Sequence, residues 1–231
     1  MSENKGIHDG HRNRVREKFI SDGFDGFCDH QILELLLFYA IPRKDTNEMA
    51  HKLINSCGSL SSVFDAPYEI LEECGLSKNA AVLLKMIPKL CQKYTDDKYK
   101  NSNKIITEEN IGERIITNFI GISEENVVLL LVDAKGMELF CGIISKGSVS
   151  ASEIYTRKIV QLAMKFQASG AVIAHNHPSG IALPSNNDIK ATINLKKALA
   201  TVGVRLLDHI IVADMDYMSL AQNDEYIGIF L

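Results

Sequence analysis

The sequence lacks any stretch approaching the ~18 to 20 uninterrupted apolar residues of a membrane-spanning helix. Its start, MSENKGIHDGHRNR, has no apolar core of the kind a secretory signal carries. No membrane partner is expected, and the expected location is the cytoplasm. Paired cysteines are missing as well. Cys28, Cys57, Cys74, Cys91 and Cys141 are odd in number, widely spaced and without a CxxC pair, which argues against a disulfide framework and a thiolate zinc site. There is no excess of positive charge: 25 Lys and Arg stand against 29 Asp and Glu, a net charge of −4. Through Lys104 the count is 15 basic and 15 acidic, and after it 10 and 14. No global field is available to hold nucleic acid. Internal repeats and low-complexity segments are absent too.

What is present is the composition of a globular chain, 231 residues of which 46% are hydrophobic and 23% charged. That length suits two domains of common size. Residues 1–93 read as all-helical, with apolar residues at helical spacing and Gly and Pro between the runs. Ile32 to Phe38 lie in one helix, Met49, Leu53 and Ile54 in a second ending near Gly58, and Leu60, Val63 and Phe64 in a third stopping before Pro67. Ile70 to Ile87 describe helix, tight turn, helix. The polar stretch 94–107 reads as a linker. Residues 108–231 read as a layered α/β or α+β domain. There Glu125-NVVLLLVD, a turn at Ala134-Lys135-Gly136 and Met137 to Ser145 form a hairpin. Ala171 to Ala174, Arg205 to Ala213 and Tyr217 to Leu220 are further strands, with a helix over Ser185 to Thr201.

His175-Asn176-His177 follows directly on the strand AVIA, and a strand's two-residue period sends both imidazoles to one side. Eight residues beyond His177 stands Ser185, and three further Asp188, a carboxylate able to supply a third ligand. Three protein ligands leave the fourth position of a tetrahedral zinc open, as a catalytic site requires. With seven histidines, chance gives an HxH pair about 0.2 times; adding Ser and Asp at these offsets lowers coincidence to roughly one in a thousand. The same residues also fit hydrogen-bonded core histidines and a helix N-cap with an acid at its third position.

The segment His175 to Asp188, HNHPSGIALPSNND, resembles the JAMM (JAB/MPN) metalloenzyme signature HxH, seven residues, SxxD. Its HNHPSG and PSxxD form resembles the RadC branch of that family. Glu125-NVVLLLVD with its hairpin, Gly147 and Leu207-DHIIVA agree, and the helical half is similar to the RadC helix-hairpin-helix domain, so the resemblance covers most of the chain. It implies an N-terminal all-α domain and a C-terminal JAB/MPN-like α/β (α+β) domain with a mixed sheet flanked by helices. It implies one Zn2+ held by His175, His177 and Asp188, with Glu125 as catalytic acid and base and Ser185 as hydroxyl donor to the oxyanion. Counting back eight positions from Asp133 favours Glu125 over its neighbour Glu124. The implied activity is metal-assisted hydrolysis of a peptide or isopeptide bond in an unknown substrate. Asn176 and Ser179 are candidate donors for orienting a ligand, while Pro178 and Pro184 restrict the loop.

Some residues depart from the family pattern. Where the family reads H-P-R-E, this chain has Tyr155-Thr156-Arg157-Lys158, which places a helix start near Thr156, whereas a capping box Ser150-x-x-Glu153 starts it earlier. Lys158 replaces an acid and bears on substrate or partner choice. In the hairpin Glu73-Cys-Gly75-Leu76-Ser77-Lys78, Ser77 stands where a second glycine usually lies and Glu72 and Glu73 precede the turn, which weakens phosphate binding. Arg12, Arg14, Arg16, Lys18, Arg43 and Lys44 form a modest basic patch or a solvated helix face. Asp208-His209 reads more readily as a satisfied structural pair than as a pair supporting a metal. A DNA-associated protein, linked with repair, is the alternative function, and a non-catalytic JAB/MPN scaffold the second. The complete set of five site residues argues against the scaffold.

Overall fold

The computed structural model describes residues 10–42, 44–101, 105–147, 152–178, 180–214 and 216–231, with the backbone alone at 100–101 and 152–155. Arg43, Ser150 and Ser179, and the side chain of Glu153, lie outside the described residues. The chain divides into two compact units, Met1–Leu90 and Cys91–Leu231. No helix among the described residues is long and apolar enough to cross a membrane.

The first unit is helical: α1 (His11–Asp22), α2 (Asp29–Ala40), α3 (Asn47–Cys57), α4 (Leu60–Asp65), α5 (Tyr68–Glu73) and the start of α6 (Lys78–Asn101). Leu33 and Leu37 of α2 meet Ala50 and Leu53 of α3, Val63 of α4, Leu71 of α5 and Leu84 of α6 in one core. At the α5–α6 turn, Gly75 takes φ 97°, which an L side chain adopts only at a cost. Ser77 there is a cap, its Oγ accepting from Ala80 N–H at 3.4 Å, and Lys52 Nζ donates to Cys74 O at 2.9 Å. Arg12 does not join a free basic patch. Its guanidinium donates to the carbonyls of Phe38, Ile41 and Lys44 at 3.2, 2.7 and 2.5 Å, closing the end of α2. Lys18 likewise donates to Gly26 O at 2.9 Å.

The expected linker over 94–107 is corrected at its start: α6 continues through Asn101, 24 residues in all. Composition hid this because the holding contacts are tertiary. Asp96 pairs with Arg114 at 3.0 Å, Tyr99 lies under the Arg114 guanidinium at 5.2 Å, and Lys93 pairs with Asp97 one turn on at 2.9 Å.

The second unit adds α7 (Ile111–Ile116), β1 (Asn126–Val132), β2 (Glu138–Lys146), α8 (Ser152–Lys165), β3 (Gly170–Asn176), α9 (Asn186–Ala200), β4 (Arg205–Ala213) and β5 (Asp216–Ser219). The sheet runs β2-β1-β3-β4-β5. Only the β3–β4 pair is parallel, with α9 as its crossover. This is the expected mixed sheet flanked by helices. All seven residues of β1 are buried, because both faces are covered and no polar alternation is needed. Val127, Leu129 and Leu131 pack with Ile159 and Ala163 of α8 and Leu195 and Leu199 of α9. Val128 and Leu130 face the other way, with Ile111 and Ile115 of α7. Helix α8 starts at Ser152, earlier than the expected Thr156. Lys158 donates its ammonium to Ile144 O of the edge strand β2, an intramolecular use of the side chain expected to bear on partner choice.

The β1–β2 pairing shifts register after Val127 and after Leu131. Between β3 and β4 the register shifts after Ala171, which pairs with Leu206, while Val172 pairs with Asp208. The extra residue, Leu207, lies over Gly170, where a Cβ would come within 2.7 Å of its Cδ1. In the β1–β2 turn Gly136 has φ 80°, and a Cβ there would meet Ile105 Cγ2 at 2.9 Å. Gly136→Ala is expected to cost about 1 to 3 kcal/mol through backbone strain alone. A urea midpoint unchanged from the parent would refute this.

Candidate metal centre

One end of the sheet collects the ends of β3 and β4 and the start of β1, since β1 is antiparallel to β3 and β4 parallel to it. His177 N–H donates to Val212 O at 2.8 Å, so pairing with β4 continues past the strand and keeps His177 in phase with His175. The chain then turns, with Pro178 at the turn's second position and Gly180, at φ 78°, donating to His177 O at 3.1 Å. This brings Ile181 O to 3.0 Å from His177 Nδ1. A carbonyl only accepts, so Nδ1 carries the hydrogen and Nε2 is the ring nitrogen left to bind an ion.

Asp188 reaches the same place from α9. Ser185 caps that helix: its Oγ accepts from Asp188 N–H at 3.2 Å, and Asp188 Oδ2 accepts from Ser185 N–H at 2.7 Å. The cap and the cluster therefore coexist. Asp188 Oδ1 lies 3.3 Å from His175 Nε2, Oδ2 lies 3.7 Å from His177 Nε2, and the two Nε2 atoms are 2.9 Å apart. Burial works against charge on Asp188, but bonds from His175 and Ser185 outweigh it and hold the carboxyl below the usual carboxylate range. Two ring nitrogens and a carboxylate turned into one space repel each other unless a cation, proton or metal ion, lies between them. Adjacent ligands of a tetrahedral zinc stand about 3.3 Å apart, so the spacing fits. With ligand atoms all within 4.8 Å of one another, this is the group of His, Cys, Asp or Glu side chains that assembles among the described residues.

Glu125 stands outside that group, directly before β1. Val127 pairs with His175 across the antiparallel ladder and shares its face. Two residues earlier, Glu125 has the same phase at the level of His177, whereas Glu124 has the opposite phase. Asn176 does not orient a ligand. Its Oδ1 accepts from Asn126 N–H at 2.7 Å and its Nδ2 donates to Glu124 O at 3.0 Å, gripping both peptide groups that flank Glu125. Gly147 N–H donates to Glu125 O at 2.7 Å from the third side. Ser185 is exposed; the cap uses an oxygen lone pair and leaves its hydroxyl hydrogen to donate.

The side chains of Asp208 and His209 do not pair with each other; the His209 backbone N–H donates to Asp208 Oδ1 at 2.7 Å. Asp208 accepts from Ser219 Oγ at 2.6 Å and from Ala221 N–H at 3.0 Å, holding the chain after β5. Burial raises its pKa against those bonds. The His209 ring lies on the other face, its Nε2 2.9 Å from His175 Nδ1 and its Nδ1 2.5 Å from Thr192 Oγ1. Burial first, then the neighbouring His175, lowers its pKa to about 3. Thr192 was not among the residues singled out in the sequence. Its place one helical turn after Asp188 was the available signal.

A mixed sheet that sets an HxH pair beside a capped aspartate at one end defines a JAB-type domain, and residues 105–225 match the family described as "RadC-like JAB domain". The chain belongs to this RadC-like family of UPF0758 proteins. It is 36% identical over 221 residues to a UPF0758 protein of Fusobacterium nucleatum, covering 92% of this chain and 95% of the relative. It is 30% identical over 210 residues to one from Pseudoalteromonas translucida, covering 90% and 94%.

Proposed function

We propose that this chain is a zinc-dependent hydrolase of the JAMM type, cutting peptide or isopeptide bonds. The observation that carries the reading is the convergence of His175, His177 and Asp188 on one small space, with Glu125 in phase beside them. Bound zinc supplies Lewis acidity, polarising a carbonyl and bringing the pKa of water toward ~7. Glu125 accepts the proton of the attacking water and delivers it to the leaving amine. Ser185 donates its free hydrogen to the developing oxyanion, and Asn176 keeps the Glu125 backbone in place. All five cysteines are free, which suits the reducing cytoplasm. The DNA-associated alternative has thinner support, since Arg12 and Lys18 are engaged within their own unit.

The test is zinc content together with a screen of peptide and isopeptide conjugates. Glu125→Gln is expected to keep zinc and lose turnover by roughly 100- to 10,000-fold, the usual contribution of a general base. A parent that takes up no divalent ion, or a Glu125→Gln protein as active as the parent, overturns the reading.

A further inference from the structure

Reading His175, His177 and Asp188 as a metal site leaves a third histidine, His209, 4% exposed and without a role. We propose that His209 and Thr192 form a one-way hydrogen-bond relay that locks His175 in the tautomer with hydrogen on Nδ1, presenting a bare Nε2 to the ion. The proposal rests on that reading of the site.

The direction is set by the far end of the relay. The backbone carbonyl of Asp188 can only accept, so Thr192, at 2.6 Å, spends its single hydroxyl hydrogen there. Toward His209 Nδ1, at 2.5 Å, Thr192 Oγ1 then offers lone pairs alone, and Nδ1 must be the donor. In a neutral His209 ring, the form that burial favours, Nε2 is then left as an acceptor. His175 Nδ1, 2.9 Å away, therefore donates. The reverse order would place a hydrogen on His175 Nε2, in the ligand position, and would leave the contact between Thr192 and the carbonyl without a hydrogen.

The relay also ties the ligands together. It starts at His175 on β3, crosses His209 on β4 and ends on the backbone of Asp188 on α9, so one ligand's ring orientation is referred to the other's peptide. His177 has its own fixed acceptor in Ile181 O. With an ion on Nε2, each ring thus keeps a fixed acceptor for its Nδ1 hydrogen. His209 and Thr192 are positioning residues.

The experiment uses the full chain, metal-free and with zinc, at mildly alkaline pH. Long-range 15N NMR reads the histidine tautomers, and competition with a chromogenic chelator reads zinc affinity. In the metal-free parent, His175 and His209 are both expected to carry hydrogen on Nδ1. Thr192→Val keeps the side-chain shape without the donor and is expected to weaken zinc binding about 10- to 100-fold. Thr192→Ser, which keeps the hydroxyl, is expected to bind as the parent does. A hydrogen on His209 Nε2 in the parent, or parental zinc affinity in Thr192→Val, overturns the relay. A parent that binds no zinc overturns the metal reading instead, and its ring tautomers still decide the relay. Should Thr192→Val not fold, the parent's tautomers and Thr192→Ser decide it.

Discussion

Asp188→Asn is expected to lose zinc affinity by at least about 100-fold and yet to fold. The bound on affinity follows from comparison: partners that merely orient a ligand are worth about 10- to 100-fold, and Asp188 is itself the anionic member of the cluster. An amide is neutral and leaves the charge of a divalent ion wholly uncompensated. Folding survives because the helix cap needs only an acceptor for Ser185 N–H, now 2.7 Å from Asp188 Oδ2, and an asparagine oxygen can serve. Asp188→Ala removes both functions and should cost about 1 kcal/mol in addition, the usual value of a lost cap. Zinc competition and urea midpoints on the two variants separate ligand from cap. If Asp188→Asn holds zinc as tightly as the parent, Asp188 is not a ligand.

The second large effect is expected far from the metal centre. Arg114 on α7 is fully buried. Its guanidinium grips Glu138 of β2 with two bonds, at 2.7 and 3.0 Å, and reaches Asp96 of α6 at 3.0 Å. Replacing Arg114 with methionine leaves the Glu138 carboxylate poorly solvated and without its partner. Breaking a buried pair from one side typically costs about 3 to 5 kcal/mol. For a unit of this size that is a fall in Tm of roughly 10 to 17 °C. Arg114→Lys should fail to restore stability, since an ammonium cannot make the paired bonds of the fork. Adding Glu138→Leu to Arg114→Met should recover part of the loss, because the stranded charge is then gone. Calorimetry on the single and double variants checks this; a single-variant cost under about 1 kcal/mol would mean that water reaches the cluster.

Much of the site could be read from residue order alone. The HxH pair needs only the alternation of a strand, and Ser185-x-x-Asp188 encodes both a cap and a ligand position in four residues. Glu125 was separable from Glu124 by counting, and extending the β1–β3 alternation two residues back from Val127 agrees with that choice. The helices of the first unit follow their apolar spacing. What stayed hidden depends on contacts between distant segments. The end of α6 looks like a polar linker until Arg114 supplies a partner for Asp96 and Tyr99. Arg12 looks like a surface cation until the carbonyls at the end of α2 are in view. Asn176 sits between two metal-ligand candidates, and nothing local says that it serves Glu125 instead.

The extra residue in β4 makes the site tolerant of one change in length. Leu207 interrupts the pairing, so Asp208 sits opposite Val172 and His209 opposite Ile173. Deleting Leu207 would give a more regular ladder. Pairing from Val172–Asp208 onward would stay as it is, so Asp208 and His209 would keep their faces. A one-residue gap at this point in a relative would therefore leave the site intact, although it falls only two positions from His209.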